Sequence, residues 1–284
     1  ITLYAVQKKA VQLTFHRCDG STWQKTTLAK GSSYSLPGVR DAEGYTFMGW
    51  STKPMQSVSP QYEAEEKITV NGNVDLYAVV FNRTTETDLT EDQLPQVDIY
   101  KYKQVIFVGD SRTEFMENVL TGMGESATKN VKFVCSAGKG LDWFTTTGWA
   151  QLYSIVQHDS NSILSKKTAV IFNFGVNDLS KSADYAEYYN WIAPQLKSKG
   201  CELYFMSVNP VNRLMLPNAG RADRSEAAVR SFNQYMKANL SSAYTYIDMY
   251  SYLKSTGYSF ASDHYGTGTV DDGLHYTTRT YKRI

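Results

Sequence analysis

The sequence predicts a small all-β module followed by an α/β domain built on a parallel sheet. Three observations carry this reading. Residues 8–83 hold short runs of alternating apolar and polar residues, punctuated by glycine and proline, with no helical period. Residues 99–284 hold strand-like runs that alternate with segments whose apolar residues recur every three to four positions. Between them, 84–98 carries Glu86, Asp88, Glu91, Asp92 and Asp98, no basic residue, and Pro95, and reads as a linker. Residues 100–284 are therefore expected to fold and act without the module.

In the first unit, Ile1–Val6 echoes Val74–Val79, as tandem repeats do, so 1–7 reads as the end of a preceding repeat. Val11–Phe15 alternates like a half-buried strand. Gly31-Ser32-Ser33 and Pro37-Gly38 punctuate the chain, and Gly44–Trp50 is aromatic-rich and β-prone. Lys67–Val70 meets an Asn71-Gly72 turn, and Val74–Phe81 forms the closing strand. His16 falls on a strand and reads as structural.

In the second unit, Gln104–Val108 is a buried-strand run. Phe115, Met116, Val119, Leu120 and Met123 recur at helical spacing, ended by Gly122 and Gly124. Val131–Val134 is a strand, Leu141–Val156 a helical pattern and Thr168–Phe174 a strand. Tyr185, Tyr189, Ile192 and Leu196 mark a helix stopped by Gly200, with a kink expected at Pro194. Glu202–Val208 and Tyr244–Ile247 are strands, separated by a helix marked by Val229, Phe232, Met236 and Leu240.

Composition narrows the function. The chain has 284 residues, with 29 basic and 28 acidic, which gives no basic surface to attract nucleic acid or anionic lipid. No apolar run reaches the ~20 residues that cross a bilayer. Cys18, Cys135 and Cys201 are scattered, without zinc spacing or a disulfide framework. Tyrosine is abundant, 21 residues against 12 phenylalanines, as on surfaces that meet sugars or partners. The start at Ile1, with neither methionine nor a signal-like apolar region, reads as a piece of something longer.

In a parallel sheet, ligands bind beyond the carboxyl ends of the strands. The first of these strands ends in Gly109-Asp110-Ser111 and a helix follows at once. A serine there offers its hydroxyl to the crevice, beside free N–H groups and the positive end of the helix dipole. It suits a nucleophile, and equally a plain helix cap. The second strand ends in Cys135–Gly140, where glycine lets a backbone N–H approach an oxyanion, or merely makes a turn. The third ends in Gly175-Val176-Asn177-Asp178, a carboxamide donor or an ordinary Asn-Asp turn. Near the C-terminus, Asp272 and His275 are spaced so that the carboxylate reaches Nδ1 and leaves Nε2 free as a base, or forms a surface ion pair. His158, beside Asp159 at a helix end, and His264, beside Asp263 in a glycine-rich loop, are weaker candidates.

Two resemblances follow. Phe47, Gly49, Trp50, Ser51 and Thr52, with the terminal Asn73–Val79, resemble the internalin-type B repeat, which implies a β-grasp-like module of bacterial surface proteins, here 8–83. Gly-Asp-Ser, glycine after the second strand, Gly-x-Asn-Asp and Asp-x-x-His occur in the order that resembles the SGNH hydrolases of the GDSL esterase and lipase superfamily. That resemblance implies a flavodoxin-like three-layer sandwich over 99–284. It implies Ser111 as nucleophile, His275 as general base and Asp272 as its orienting acid. The oxyanion hole would comprise the N–H groups of Ser111 and Gly138, chosen over Gly140, with the Asn177 side chain. Arg112 departs from the family pattern and reads either as a substrate contact or as a structural ion pair. Trp143, Tyr265 and Tyr276 are aromatics able to stack on sugar rings. The implied chemistry is ester hydrolysis by acyl-serine transfer, with no metal or organic cofactor. The expected protein is a secreted or bacterial surface esterase acting on an ester-bearing glycan or small acyl ester, its repeat module meeting cell wall or other surface components. A lipase or lysophospholipase, and a non-catalytic glycan-binding adhesin, are the alternatives.

Overall fold

The computed structural model describes residues 9–86, 102–124, 129–159, 167–261 and 271–284. Residues 1–7, most of the expected linker, and Asp263, His264 and Tyr265 lie outside that set, as does the side chain of His158.

The module comprises β1 (Ala10–His16), β2 (Thr22–Ala29), β3 (Ser32–Ser35), β4 (Tyr45–Ser51), β5 (Lys67–Val70) and β6 (Val74–Asn82). One sheet runs β2-β1-β6-β4, with β1 and β6 parallel, and β3 pairs with β5. Alternation on β1 buries Val11, Leu13 and Phe15 against Leu36, Phe47, Trp50 and Leu76. β2 carries polar residues on both faces and is mostly exposed, so periodicity gives it no signal. His16 is structural: Nε2 lies 2.8 Å from Asp75 and the ring stacks on Tyr77.

The second unit is a five-stranded parallel sheet in the order β11-β10-β9-β7-β8. Its strands are β7 (Tyr102–Gly109), β8 (Val131–Cys135), β9 (Lys167–Asn173), β10 (Cys201–Met206) and β11 (Tyr244–Ile247). Its helices are α1 (Ser111–Gly122), α2 (Trp149–Asp159), α3 (Ser182–Lys197), α4 (Glu226–Asn239), α5 (Met249–Thr256) and α6 (Thr278–Arg283). A single helical turn, Leu141–Trp143, and a π-type turn, Phe144–Gly148, lead into α2. α3 runs unbroken through Pro194, which lies in its C-terminal part. The strand order reverses between β7 and β9, and the crevice at such a switch point is where open α/β sheets bind ligands. The segments following β7 and β9 carry Ser111 and Asn177 to that crevice.

The two units share a buried cluster, a contact that the acidic stretch gave no reason to expect. β4 and β6 are buried on both faces. Phe47, Trp50, Leu76 and Ala78 face the module's own core, while Met48, Val79 and Phe81 join Phe115, Leu253, Tyr258, Phe260 and Tyr276 in one cluster. The unbroken apolar run Phe47-Met48-Gly49-Trp50 is the mark of a strand covered twice. Gly257 makes the contact close, since a Cβ there would sit 2.3 Å from the Phe81 ring.

Polar groups seal the seam. Buried Lys254 lies 2.9 Å from Glu63 and 3.0 Å from Glu226, and donates to the Met48 carbonyl. Arg83 Nη2 bridges Asp41 and Asp271, at 2.5 Å from each. The expected linker also begins docked. Glu86 is buried under α6, accepting from the Thr280 hydroxyl and from Arg283. Its acidity in sequence marks a partner in α6, not solvation.

Candidate active site

Ser111 opens α1 directly after β7. Asp110 caps the helix by accepting from the Arg112 N–H at 3.0 Å, and burial pushes its carboxyl up to about 6. The Ser111 N–H lies in the first helical turn, where no intrahelical carbonyl is available.

Asp272 and His275 share one tight turn. Asp272 Oδ1 accepts from the N–H groups of Leu274 and His275, at 2.9 and 2.8 Å, while Oδ2 lies 2.6 Å from His275 Nδ1. A carboxylate only accepts, so Nδ1 carries the proton and Nε2 presents its lone pair. Nε2 lies 2.9 Å from Ser111 Oγ. The edge of the imidazole is closed by the Phe115 ring at 4.4 Å. Burial lowers the His275 pKa, which the Asp272 carboxylate opposes and the Arg112 and Arg221 charges reinforce. Burial alone would raise Asp272, but its bonds to His275 outweigh that and hold it at about 2. The arrangement can pull a proton from a serine hydroxyl and return it to a leaving group.

Asn177 is oriented from both ends of its amide. Nδ2 donates to the Lys139 carbonyl at 2.8 Å, and Oδ1 accepts from Arg224 Nη2 at 2.7 Å. Arg224 is itself fixed on the carbonyls of Val176 and Ala222. Arg221 lies 3.2 Å from Asp272 Oδ2. Sequence reading missed both arginines. Their only signal is a charged Gly-Arg-Ala-Asp-Arg-Ser run at the mouth of α4.

Several expected site residues sit elsewhere. Gly138 is exposed with open space around it, and its φ of +69° marks a turn. Gly140 is the packed glycine, where a Cβ would lie 2.3 Å from the Asp178 carboxylate. The Lys139–Gly140 peptide is also the one that Asn177 holds. Arg112 is neither a substrate contact nor an ion pair. It is buried, with its guanidinium donating to the carbonyls of Leu274, Asn209 and Pro210. Tyr276 cannot stack on a sugar, because it is fully buried, bonded through its hydroxyl to the Pro210 carbonyl and covered by Arg112. Trp143 is half-buried and leans on Phe174. Beside Asn177 an open hollow of about 420 Å³ is bordered by Ser180, Arg213, Asp223 and Arg224.

Known proteins give two family matches. The GDSL-like lipase/acylhydrolase model covers residues 105–284, and the Listeria-Bacteroides repeat domain model covers residues 12–79. No curated protein matches the chain. Among solved structures, a candidate acylhydrolase from Bacteroides fragilis aligns at 16% identity over 68% of this chain and 86% of that one, with a TM-score of 0.44. A candidate SGNH hydrolase from Slackia heliotrinireducens aligns at 15% identity over 64% and 95%, with a TM-score of 0.45. The catalytic domain of the Streptococcus pneumoniae peptidoglycan O-acetyltransferase A aligns at 16% identity over 64% and 87%, with a TM-score of 0.38. Since the acylhydrolase model spans well over half of its length, the chain belongs to the GDSL-like lipase and acylhydrolase family, joined at its N-terminal side to a Listeria-Bacteroides repeat domain.

Proposed function

We propose that the protein is an extracellular serine esterase that removes acetyl or other short acyl groups from carbohydrate, using Ser111, His275 and Asp272. One observation carries this reading: His275 bridges the Ser111 hydroxyl at 2.9 Å and the Asp272 carboxylate at 2.6 Å. His275 Nε2 takes the proton as Ser111 Oγ attacks the ester carbonyl. Asp272 holds the tautomer and stabilises the imidazolium. The oxyanion receives the N–H of Ser111, the Asn177 Nδ2 and the N–H of Gly140. We assign that last donor to Gly140, not Gly138, because Asn177 holds the Lys139–Gly140 peptide and the Asp178 carboxylate accepts from the Leu141 N–H that follows. The alcohol leaves with the His275 proton, and water repeats the cycle on the acyl-serine.

The polar border of the hollow beside Asn177 favours a hydroxyl-rich substrate over a long alkyl chain. A repeat of the Listeria-Bacteroides type suits a protein working on a surface polymer. Among the described residues no helix is long and apolar enough to cross a membrane. The decisive experiment measures acetate release by mass spectrometry from a panel of acetylated polysaccharides, with short- and long-chain aryl esters alongside. Ser111→Ala should abolish all turnover without altering the melt, since losing the nucleophile typically costs several orders of magnitude. Near-normal turnover by that variant would overturn the triad. Preference for long-chain esters would overturn the substrate class.

A further inference from the structure

The turn that carries the acid and base is anchored from outside the catalytic domain. Asp271, next to Asp272, accepts from Arg83 Nη2 through Oδ2, while its Oδ1 accepts from the Gly273 N–H at 2.9 Å. Arg83 directly follows β6 of the repeat module and opens a 3-10 turn, Arg83–Thr85. Its guanidinium is held there by Asp41 and by the Thr46 hydroxyl, at 2.5 and 2.9 Å. The opposite side of the same turn rests on Asn212, whose N–H donates to the Gly273 carbonyl at 2.8 Å. The Asn212 side chain in turn donates to Asp41 Oδ1 at 2.7 Å and to the Val39 carbonyl. Arg112 and Arg221 hold the same turn from within the catalytic domain, but the Arg83 and Asn212 supports converge on one buried carboxylate of the module, Asp41.

We propose that the repeat module completes the active site: Arg83, anchored on Asp41, acts as a positioning residue that sets the Asp271–His275 turn at the height where His275 meets Ser111. The catalytic domain supplies every reacting group, but not every support of the turn. A bond at 2.9 Å between His275 and Ser111 tolerates little displacement, and a shift of ~1 Å in a catalytic group can cost ~10²-fold in rate. The effect belongs in kcat, because Arg83 and Asp41 support the turn from the module side, away from the hollow beside Asn177.

This inference rests on the Ser111–His275–Asp272 reading, so Ser111→Ala is measured beside it. The test uses the full chain with p-nitrophenyl acetate, at a temperature where circular dichroism shows each variant folded. Arg83→Ala removes the link outright, and Asp271→Asn weakens it from the other side by removing its charge and one of its two acceptor oxygens. Each should lower kcat by about 10- to 100-fold with KM little changed. The double variant should be no worse than Arg83→Ala alone, because both act on one contact. Arg83→Lys should recover part of the loss. If Arg83→Ala does not fold, Asp271→Asn alone decides, since it leaves the Asp41–Arg83 pair intact. Wild-type kcat in Asp271→Asn, or independent multiplicative losses in the double variant, would overturn the inference. Activity in Ser111→Ala would instead overturn the triad on which it rests.

Discussion

Deleting the repeat module should strongly destabilise the hydrolase. Met48, Val79 and Phe81 are buried in the same cluster as Leu253, Tyr258 and Phe260, and a matching apolar area on the hydrolase side loses its cover when they go. Burying one such side chain contributes about 1.5–3 kcal/mol, so the seam is worth about 5–9 kcal/mol. Domains are stable by only about 5–15 kcal/mol, so the loss consumes about a third of the total or more. Lys254 also loses Glu63 and the Met48 carbonyl, and Glu86 leaves Thr280 and Arg283. For a domain of this size each 1 kcal/mol lowers Tm by about 2–4 °C, which places the fall at about 10 °C or more. The assay compares residues 100–284 with the full chain by soluble yield, thermal melt and kcat/KM on p-nitrophenyl acetate. A soluble fragment that melts within a few degrees of the full chain would refute the reasoning. It would mean that the shared cluster relaxes closed over the exposed face.

Asn177→Ala should lower kcat by about 10²–10³, the usual effect of losing one oxyanion donor, and a change confined to KM would show that Asn177 binds only the ground state. Gly140→Ala should be far more damaging than Gly138→Ala, because the new Cβ meets the Asp178 carboxylate at the first position and open space at the second. The reverse order in kcat/KM would return the oxyanion role to Gly138. The acid limb of kcat/KM should lie below the ordinary histidine value of 6.5, because burial favours the neutral, basic form of His275. Arg221→Gln should move that limb to higher pH by removing a nearby positive charge. Asp272, held at about 2 against 3.8 when unfolded, contributes stability that is intact above pH 3.8 and lost as pH falls towards 2. A melt that stays constant across that window would count against the Asp272–His275 bond.

What the sequence made legible follows from how local each signal is. Strand runs with one buried face, such as Val11–Phe15, stand out by alternation, and Thr168–Phe174 stands out by its apolar centre, Ala169–Phe172. The Asp272–His275 pair is legible because both residues belong to one turn. Ser111 and Asn177 are legible because a parallel sheet places the ends of neighbouring strands together. Arg112 and Tyr276 were misplaced because burial is a tertiary property, and a lone arginine or tyrosine near a site reads the same whether it faces substrate or three carbonyls. Arg224 meets Asn177 across 47 residues and Arg83 meets Asp271 across 188. No periodicity reports contacts at that separation. At the start of the acidic stretch the same limit holds, since charge density alone cannot tell a solvated Glu86 from one buried under α6.

The shared turn of Asp272 and His275 has a dynamic consequence. Two hydrogen bonds join the two residues within four positions of chain, one of them through the imidazole, and the Leu274 N–H between them donates to the same carboxylate. The pair therefore moves as one rigid body, with its tautomer set whatever the position of the nucleophile. Ser111 stands 164 residues away on another element, tied to that body by one contact. A displacement of the turn from α1 would break the single His275–Ser111 contact while leaving both His275–Asp272 bonds in place. The base is thus poised whether or not the serine is engaged, and restoring the His275–Ser111 contact restores competence without a proton having to move.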